Sequence, residues 1–382
     1  MTQSTTFRAL AIPAMAAVLA AGLARAAAAE TTIPLTADRW TATNTIKFET
    51  YLGRPSLYID KGVALARGTS LRDGTLELDM AMPEGGNFMG AVFHAASTDN
   101  SEVIWLRPRA SGTPEAVQYA PALNSVGGAW KIYHGDGANA VATLPFGAWV
   151  HVKIDVTGSV ANLYLNGEAK PTLTVPALAG VDGASVGVWT GAFGRGAYFS
   201  NVRYTAHPTA PPAPQPPLPP GTLADWQISD ALDATAYPPG AMPNLSGVRW
   251  QNVRPETTGV VLINRYRRSP QLSFPSDPAT GEPLVDRIMN NQVAGEKIVF
   301  ARTVIQSDRD QLRRILFGYV NGLVIYCNGT PLYFGADVGG GIMNPVGDGV
   351  FLPLHKGANE IVFAVSNITG GWGFWARLAQ FP

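Results

Sequence analysis

The sequence predicts an all-β protein of two antiparallel β-sandwich (jelly-roll) domains joined by a proline-rich linker. Three observations predict this fold: apolar and polar residues alternate along many short segments, long helical patterns are absent, and a proline run divides the 382 residues. The 41 glycines, the 30 prolines and the charged fraction of only 15% are typical of short strands joined by many turns.

The first 29 residues have the pattern of a secretory signal peptide. Arg8 supplies a positive charge, residues 9–24 form an alanine-rich apolar stretch, and small residues at 24–29 form a cleavage zone. The stretch is short for a membrane span, and no later segment approaches the roughly 20 apolar residues that a span needs. We therefore expect a secreted or periplasmic protein with no integral membrane segment.

Charge and cysteine content restrict the partners and the means of stabilisation. Without Arg8 and Arg25, 26 basic side chains face 28 acidic ones, so there is no broad basic field and we expect no nucleic-acid partner. Cys327 is the single cysteine, which rules out a disulfide within the chain. Stability must therefore come from hydrophobic cores.

Residues 31–206 show the alternation expected of the first sandwich. In residues 149–156, Val150, Val152 and Ile154 share one face, and polar side chains occupy the other. The dipeptide Asn166-Gly167 predicts a tight turn, because both residues tolerate positive φ. Six further segments read as strands: 76–80, 87–95, 102–109, 160–167, 186–191 and 197–204.

Residues 207–221 form the linker, and residues 222–382 form the second sandwich. The run HPTAPPAPQPPLPP favours an extended spacer with few contacts, so we expect residues 222–382 to fold without the first domain. Asn328-Gly329 predicts a second hairpin turn. Residues 309–316, RDQLRRIL, are the best candidate for a short helix, with an edge strand as the alternative.

Two family resemblances follow from these segments. RDGTLELDM, NFMGAVFHA, WVHVKIDVTGSVANLYLNG and AYFSNVRY resemble the concanavalin A-like lectin/glucanase superfamily, in particular laminin G-like and 3-keto-disaccharide hydrolase domains. IYCNGTPLYF, HKGANEIVFAV and WGFWARL resemble a galactose-binding-like jelly roll. The first resemblance implies a ligand-binding concave sheet that contains residues 87–95, 101–109, 115–120 and 130–135. Residues 76–80 and 149–156 would then lie in the convex sheet.

The candidate ligand-binding residues lie along the implied concave sheet. Alternation points Ile104 and Leu106 to one side and Trp105, Arg107 and Arg109 to the other. Planar donors orient sugar hydroxyls and carboxylates, and aromatic faces stack on sugar rings. Alternation does not decide whether Gln118 or Tyr119 points to this face. The alternative to a binding face is a set of scattered exposed polar residues, with the tryptophans in the core. The full set is His94, Trp105, Arg107, Arg109, Gln118, Tyr119, Trp130 and His134.

We expect a secreted carbohydrate-binding protein that recognises a poly- or oligosaccharide on the concave sheet of the first domain. The first alternative is a carbohydrate-active enzyme, either a keto-sugar glycoside hydrolase or a polysaccharide lyase. The second alternative is an extracellular scaffold without a sugar site. Trp372, Phe374 and Trp375 are expected mainly in the core of the second domain, although exposed members would form a second sugar platform.

Whether the protein is an enzyme stays open, and no catalytic residue is assigned. The glucanase pattern Glu-x-Asp-x-x-Glu begins at Glu77 and Asp79, but Met82 occupies the third acidic position. There is no Gly-x-Ser-x-Gly motif, and the five histidines lack metal-ligand spacing. No cofactor is evident, and a structural calcium site remains open because loop carbonyls leave no sequence motif.

Overall fold

The computed structural model describes residues 29–125, 127–191, 194–210, 216–336 and 341–380. The predicted signal peptide falls almost entirely on residues 1–28, outside the described residues. Within the described part, antiparallel strands form two sandwiches, which confirms the predicted all-β fold. None of the helices there has the length and apolar character required to cross a bilayer.

The first sandwich contains fifteen of the described strands. Short 3-10 turns at Ala37–Arg39, Pro108–Ala110 and Pro114–Ala116 connect some of them. The strands are β1 (Glu30–Thr32), β2 (Trp40–Ala42), β3 (Ile46–Tyr51), β4 (Arg54–Ile59), β5 (Gly62–Ala66), β6 (Asp73–Ala81), β7 (Met89–Ser97), β8 (Asn100–Leu106), β9 (Val117–Tyr119), β10 (Asn139–Ala140), β11 (Trp149–Thr157), β12 (Val160–Leu165), β13 (Leu173–Val175), β14 (Ser185–Thr190) and β15 (Ala197–His207).

These strands form two sheets. The eight-stranded sheet has the order β13-β12-β11-β6-β15-β4-β3, with β1 paired to β15. The seven-stranded sheet has the order β10-β9-β8-β7-β14-β5-β2. The predicted division is therefore correct for residues 76–80 and 149–156, which pair in one sheet, and for β7, β8 and β9, which lie in the other. Residues 130–135 were wrongly placed in a sheet, because they form turns.

The core of the first sandwich lies between the two sheets. Inward side chains of β11, among them Val150, Val152 and Ile154, pack against inward residues of β7 and β8 such as Phe93 and Ile104. The period-2 pattern placed Val150, Val152 and Ile154 together on one face, and that face is the core side.

The second sandwich contains the remaining strands of the described chain. It also has 3-10 turns at Ala234–Ala236 and Ile263–Arg265 and a short helix α1 (Val285–Met289). The strands are β16 (Trp226–Ser229), β17 (Leu232–Asp233), β18 (Trp250–Val253), β19 (Val260–Leu262), β20 (Lys297–Ser307), β21 (Gln311–Tyr319), β22 (Gly322–Cys327), β23 (Thr330–Ala336), β24 (Asp348–Leu354), β25 (Gly357–Asn367) and β26 (Gly373–Leu378).

A seven-stranded sheet, β18-β16-β20-β25-β22-β23 with β17 paired to β20, packs on a four-stranded sheet, β19-β26-β21-β24. Trp372 and Phe374 lie in the core of the second sandwich, as the core interpretation predicted, and Trp375 is buried outside that core. The helical preference for residues 309–316 was wrong. β21 is a strand because Ile315 and Phe317 enter the core at alternate positions while Leu312 points to solvent.

Both predicted Asn-Gly turns are present. Asn166 and Gly167 have φ values of 51° and 76°, and Asn328 and Gly329 have 50° and 81°. Positive φ at both central residues matches the right-handed twist of the flanking strands. The Asn328-Gly329 turn joins β22 directly to β23, whereas the Asn166-Gly167 turn follows β12 and precedes β13.

The two sandwiches contact each other directly, through residues outside the proline-rich linker. Lys131 is fully buried: its backbone N–H donates to Gly370 O at 2.9 Å, and its ammonium lies 4.5 Å from the centre of the Phe274 ring. Arg268 forms an ion pair with Asp99. An apolar cluster joins Leu123, Ile132, Tyr133, Ala179 and Val181 of the first sandwich to Leu262 of the second. Whether each predicted domain folds alone stays a prediction.

Candidate binding site

An aromatic cluster covers part of the outer face of the seven-stranded sheet in the first sandwich. Trp105 of β8 points away from the core, as alternation predicted, and stacks on Trp189 of β14 with ring centres 4.9 Å apart. Phe88 packs against both indoles, and Trp130 contacts the same cluster. We call Phe88, Trp105, Arg107, Trp130 and Trp189 the aromatic rim.

Arg107 lies at this rim in a fixed position. Its guanidinium is 4.9 Å from the centre of the Phe88 ring, and its Nε donates to Asn87 Oδ1 at 3.1 Å. Within the described chain Arg107 forms no ion pair, either with Glu102 or with Asp136. The terminal nitrogens of the guanidinium are therefore not held by a carboxylate of the protein and can donate to a ligand.

The aromatic rim is more enclosed than the sequence predicted. Trp105 and Trp189 are only 4% and 6% exposed, whereas Phe88, Arg107 and Trp130 are partly exposed. Gln118 contributes to this closure, because its amide donates to Trp130 O at 2.9 Å and to Tyr133 O at 2.7 Å. Gln118 is buried and holds the loop beside the rim.

Tyr119 was wrongly included among the ligand-binding residues. It pairs with Ile104 across β8 and β9 and therefore points into the core, where it is fully buried. Its hydroxyl donates to Glu102 Oε2 at 2.6 Å and accepts from the Ala179 N–H at 2.6 Å, and Glu102 Oε1 accepts from the Val181 N–H at 2.9 Å. Burial, and then the Glu102 carboxylate, raise the pKa of Tyr119 well above its usual value.

His94 does not join the other predicted residues. It lies at a bulge in β7 with φ of 46°, and its Nε2 is 2.5 Å from Arg72 O. Gly90 is the β7 residue opposite Trp105, and His94 is four residues further along, roughly 13 Å away. His94 instead lines a separate pocket of about 290 Å³ beside Arg72 and Asp182.

Arg109 is also displaced from the predicted face. β8 ends at Leu106, and Pro108 begins a 3-10 turn that carries Arg109 into solvent. Proline cannot donate to a strand ladder, so the alternation that placed Arg107 and Arg109 together stops between them.

His134 lies in a cleft between the two sandwiches. Its Nε2 is 2.8 Å from Glu115 Oε1. We call this space of about 290 Å³ the junction cleft, and its lining joins Tyr133 and His134 to residues of β19, β26 and nearby loops. The sequence did not predict that residues of the second sandwich line this cleft, because nothing local in the chain places Glu256 or Arg377 opposite residues 132–135.

The acidic pair of the incomplete glucanase pattern lies on the outer face of the eight-stranded sheet. His151 contacts both acids: its Nδ1 is 2.8 Å from Asp79 Oδ1, and its Nε2 is 3.4 Å from Glu77 Oε2. Arg54 pairs with Asp79 at 2.5 Å, and Arg203 pairs with Glu77. Each carboxylate thus has a cationic partner, and opposite charges on neighbouring strands stabilise a sheet.

The described residues contain neither a metal-binding cluster nor an accessible thiol. Within the described ranges, no group of three or more His, Cys, Asp or Glu side chains is arranged to hold a metal ion. Cys327 lies in the core of the second sandwich, and burial raises its pKa. A buried thiol with a raised pKa is a poor nucleophile. The structural calcium suggested above stays a prediction.

No protein-family model matches the chain, and no curated protein matches it. Solved structures similar to it include the carbohydrate-binding module CBM66 from Bacillus subtilis, with 15% identity, a TM-score of 0.34 and coverage of 44% of this chain and 96% of that one. A Bacillus licheniformis β-glucanase has 13% identity, a TM-score of 0.32 and coverage of 48% and 100%. A B. subtilis protein of galectin-like fold has 12% identity, a TM-score of 0.34 and coverage of 45% of this chain and 91% of that one. The two family resemblances stay predictions.

Proposed function

We propose that this chain is an exported carbohydrate-binding protein that holds a poly- or oligosaccharide at the aromatic rim. The observation that carries the proposal is the position of Arg107, which is stacked on Phe88 and anchored by Asn87 at the edge of outward-facing aromatic residues. Aromatic rings outside the sandwich core offer apolar surface to the C–H face of a sugar ring.

The buried and the partly exposed residues of the aromatic rim would have different roles in binding. The stacked Trp105 and Trp189 form a rigid support, because both are nearly buried. Phe88, Trp130 and Arg107 are partly exposed and supply the contact surface. A guanidinium whose orientation is already fixed loses little conformational freedom when it binds sugar hydroxyls or a carboxylate.

The scaffold alternative draws on the same burial. A rim that is nearly closed over Trp105 and Trp189 also suits a protein that uses this face for packing, without any sugar. The two functions differ in what Arg107 does, because packing alone does not require its free donors.

The enzyme alternative draws on His134, which lines the junction cleft and contacts Glu115. A carboxylate that orients an imidazole is a general-base arrangement, which a polysaccharide lyase or a keto-sugar hydrolase would need. The side-chain amide of Gln118, which could otherwise neutralise the carboxylate of a uronate substrate, already donates to two backbone carbonyls.

A glycan array on the mature protein, followed by assays for reducing ends and unsaturated products on every hit, tests the proposal. Binding without product formation supports a binding protein, and product formation supports the enzyme. Absence of any glycan hit contradicts both and favours the scaffold.

A further inference from the structure

The junction cleft contains one cationic side chain without an anionic partner. Among its ionisable lining residues, Glu256 pairs with Arg265 and His134 contacts Glu115. Arg377 forms no ion pair within the described residues. One of its terminal nitrogens donates to Thr258 O at 3.2 Å, and its buried Nε has no hydrogen-bond partner there.

The orientation of Arg377 is fixed before any ligand binds. Its guanidinium lies 4.7 Å from the centre of the Trp375 ring. The Trp375 indole is buried and donates from Nε1 to Asn344 O at 3.0 Å. A guanidinium stacked on a rigid ring in this way presents a planar set of donors, which matches the two oxygens of a carboxylate.

Most of the other lining residues of the cleft are apolar. They include Ile132 of the first sandwich and Val260, Leu262, Met343 and Pro345 of the second. A volume of about 290 Å³ is at the lower end for small-molecule pockets and suits one ring with a short substituent. Clefts between packed units are common places for such sites.

We propose that the junction cleft binds a small apolar carboxylate, whose acid group pairs with Arg377 and whose body contacts the apolar wall. Among the described lining residues Arg377 is the one arginine or lysine, which fits one negative charge, and the apolar lining disfavours a polyhydroxylated ligand. This site is independent of the glycan site proposed at the aromatic rim.

Calorimetric titration of the full chain with benzoate, benzamide and glucuronate tests the proposal. We expect benzoate to bind, and benzamide and glucuronate to bind at least roughly tenfold more weakly, since they lack the charge or the apolar body. R377Q should weaken benzoate binding roughly ten- to hundredfold. R254Q is the matched control, because Arg254 belongs to the same sandwich but pairs with Asp225 outside the cleft.

A second variant covers the case in which R377Q does not fold. Met343 is a partly exposed loop residue on the lining, so M343W should fill the cleft without removing the charge, and benzoate binding should be lost. The proposal is overturned if benzoate does not bind, if benzamide or glucuronate binds equally well, or if a folded R377Q or M343W protein binds benzoate like the unmodified chain.

Discussion

Asn124 and Asn264 join the two sandwiches through amide-to-carbonyl hydrogen bonds that run in opposite directions. The Asn124 side chain donates to Asn264 O at 2.8 Å, and the Asn264 side chain donates to Leu123 O at 3.3 Å. Asn264 is buried, and its Oδ1 also accepts from the Trp372 N–H. One side chain therefore satisfies polar groups in both sandwiches.

Asn264→Ala should lower the free energy of unfolding by about 2 to 4 kcal/mol, because a buried N–H and a buried carbonyl each lose a partner. Urea unfolding followed by tryptophan fluorescence measures this. Asn252→Ala is the control: Asn252 is an exposed asparagine of the same sandwich that pairs with Gln227, and we expect a change within about 0.5 kcal/mol. Equal effects of the two substitutions would contradict the role of Asn264.

Residues 222–382 should fold alone but melt at a lower temperature than the full chain. Among the described residues, those of the second core all belong to the second sandwich, which supports independent folding. Separation would expose Leu262 and remove the contacts made by Lys131 and Asp99, which lowers stability. Amide NMR spectra and calorimetry of the fragment test both parts. An unfolded fragment would show that the second sandwich requires the first.

Arg107→Ala should weaken glycan binding roughly ten- to hundredfold and leave the melting temperature nearly unchanged, because it removes charge-assisted donors but no core packing. Affinity for an array-derived glycan and thermal unfolding are measured on the same protein. Arg109→Ala is the matched control, since Arg109 is a neighbouring arginine in solvent. A stable Arg107→Ala protein with full affinity would exclude the aromatic rim as the sugar site.

Tyr119→Phe should reduce stability by about 2 to 4 kcal/mol and leave glycan affinity intact, because the buried Glu102 carboxylate and the Ala179 N–H lose a shared partner. Chemical denaturation and glycan titration separate the two effects. A folded variant with normal stability and reduced affinity would restore Tyr119 to the binding site.

Glu296 should make the protein less stable as the pH rises from about 4.5 to above 7. Its carboxylate is buried and has no hydrogen-bond partner of normal geometry in the described chain. Burial raises the pKa of Glu296 from 4.5 to about 7, and Ser366 and the Val293 backbone lower it by a smaller amount. Between these values the folded chain holds a proton that the unfolded chain releases, so this contribution to stability falls as the pH rises from about 4.5 to about 7 and changes little above that.

Glu296→Gln removes this titration. We expect it to stabilise the protein by up to about 3 kcal/mol at pH 8 and to have little effect at pH 5. Urea unfolding of both proteins at the two pH values measures the difference. A constant difference across this range would show that Glu296 does not titrate between the folded and unfolded states.

The sequence was sufficient for features that depend on local periodicity. Val150, Val152 and Ile154 face the core because side chains alternate along a strand, and the same rule turned Trp105 outward. It could not choose between Gln118 and Tyr119, because β9 has only three residues and its direction follows from pairing with β8. In β21, arginines and leucines fit a helical turn equally well until the pairing with β24 is known.

The candidate sites were less predictable because they depend on contacts distant in sequence. Trp189 was read only as part of a strand, yet it stacks on Trp105, 84 positions earlier in the chain. Arg377 and His134 line one cleft although different sandwiches carry them. Periodicity assigns a residue to a face, but it does not reveal which loop covers that face.

The contacts of Lys131, Asn124 and Arg268 lie outside the proline-rich segment that links the sandwiches. Cutting the peptide bond there would remove the covalent link and leave every one of these contacts in place. A protease that nicks the chain once between residues 207 and 221 should therefore give two pieces on a denaturing gel and one particle in solution. Proteolytic processing at this point would change the number of polypeptides without separating the halves of the junction cleft.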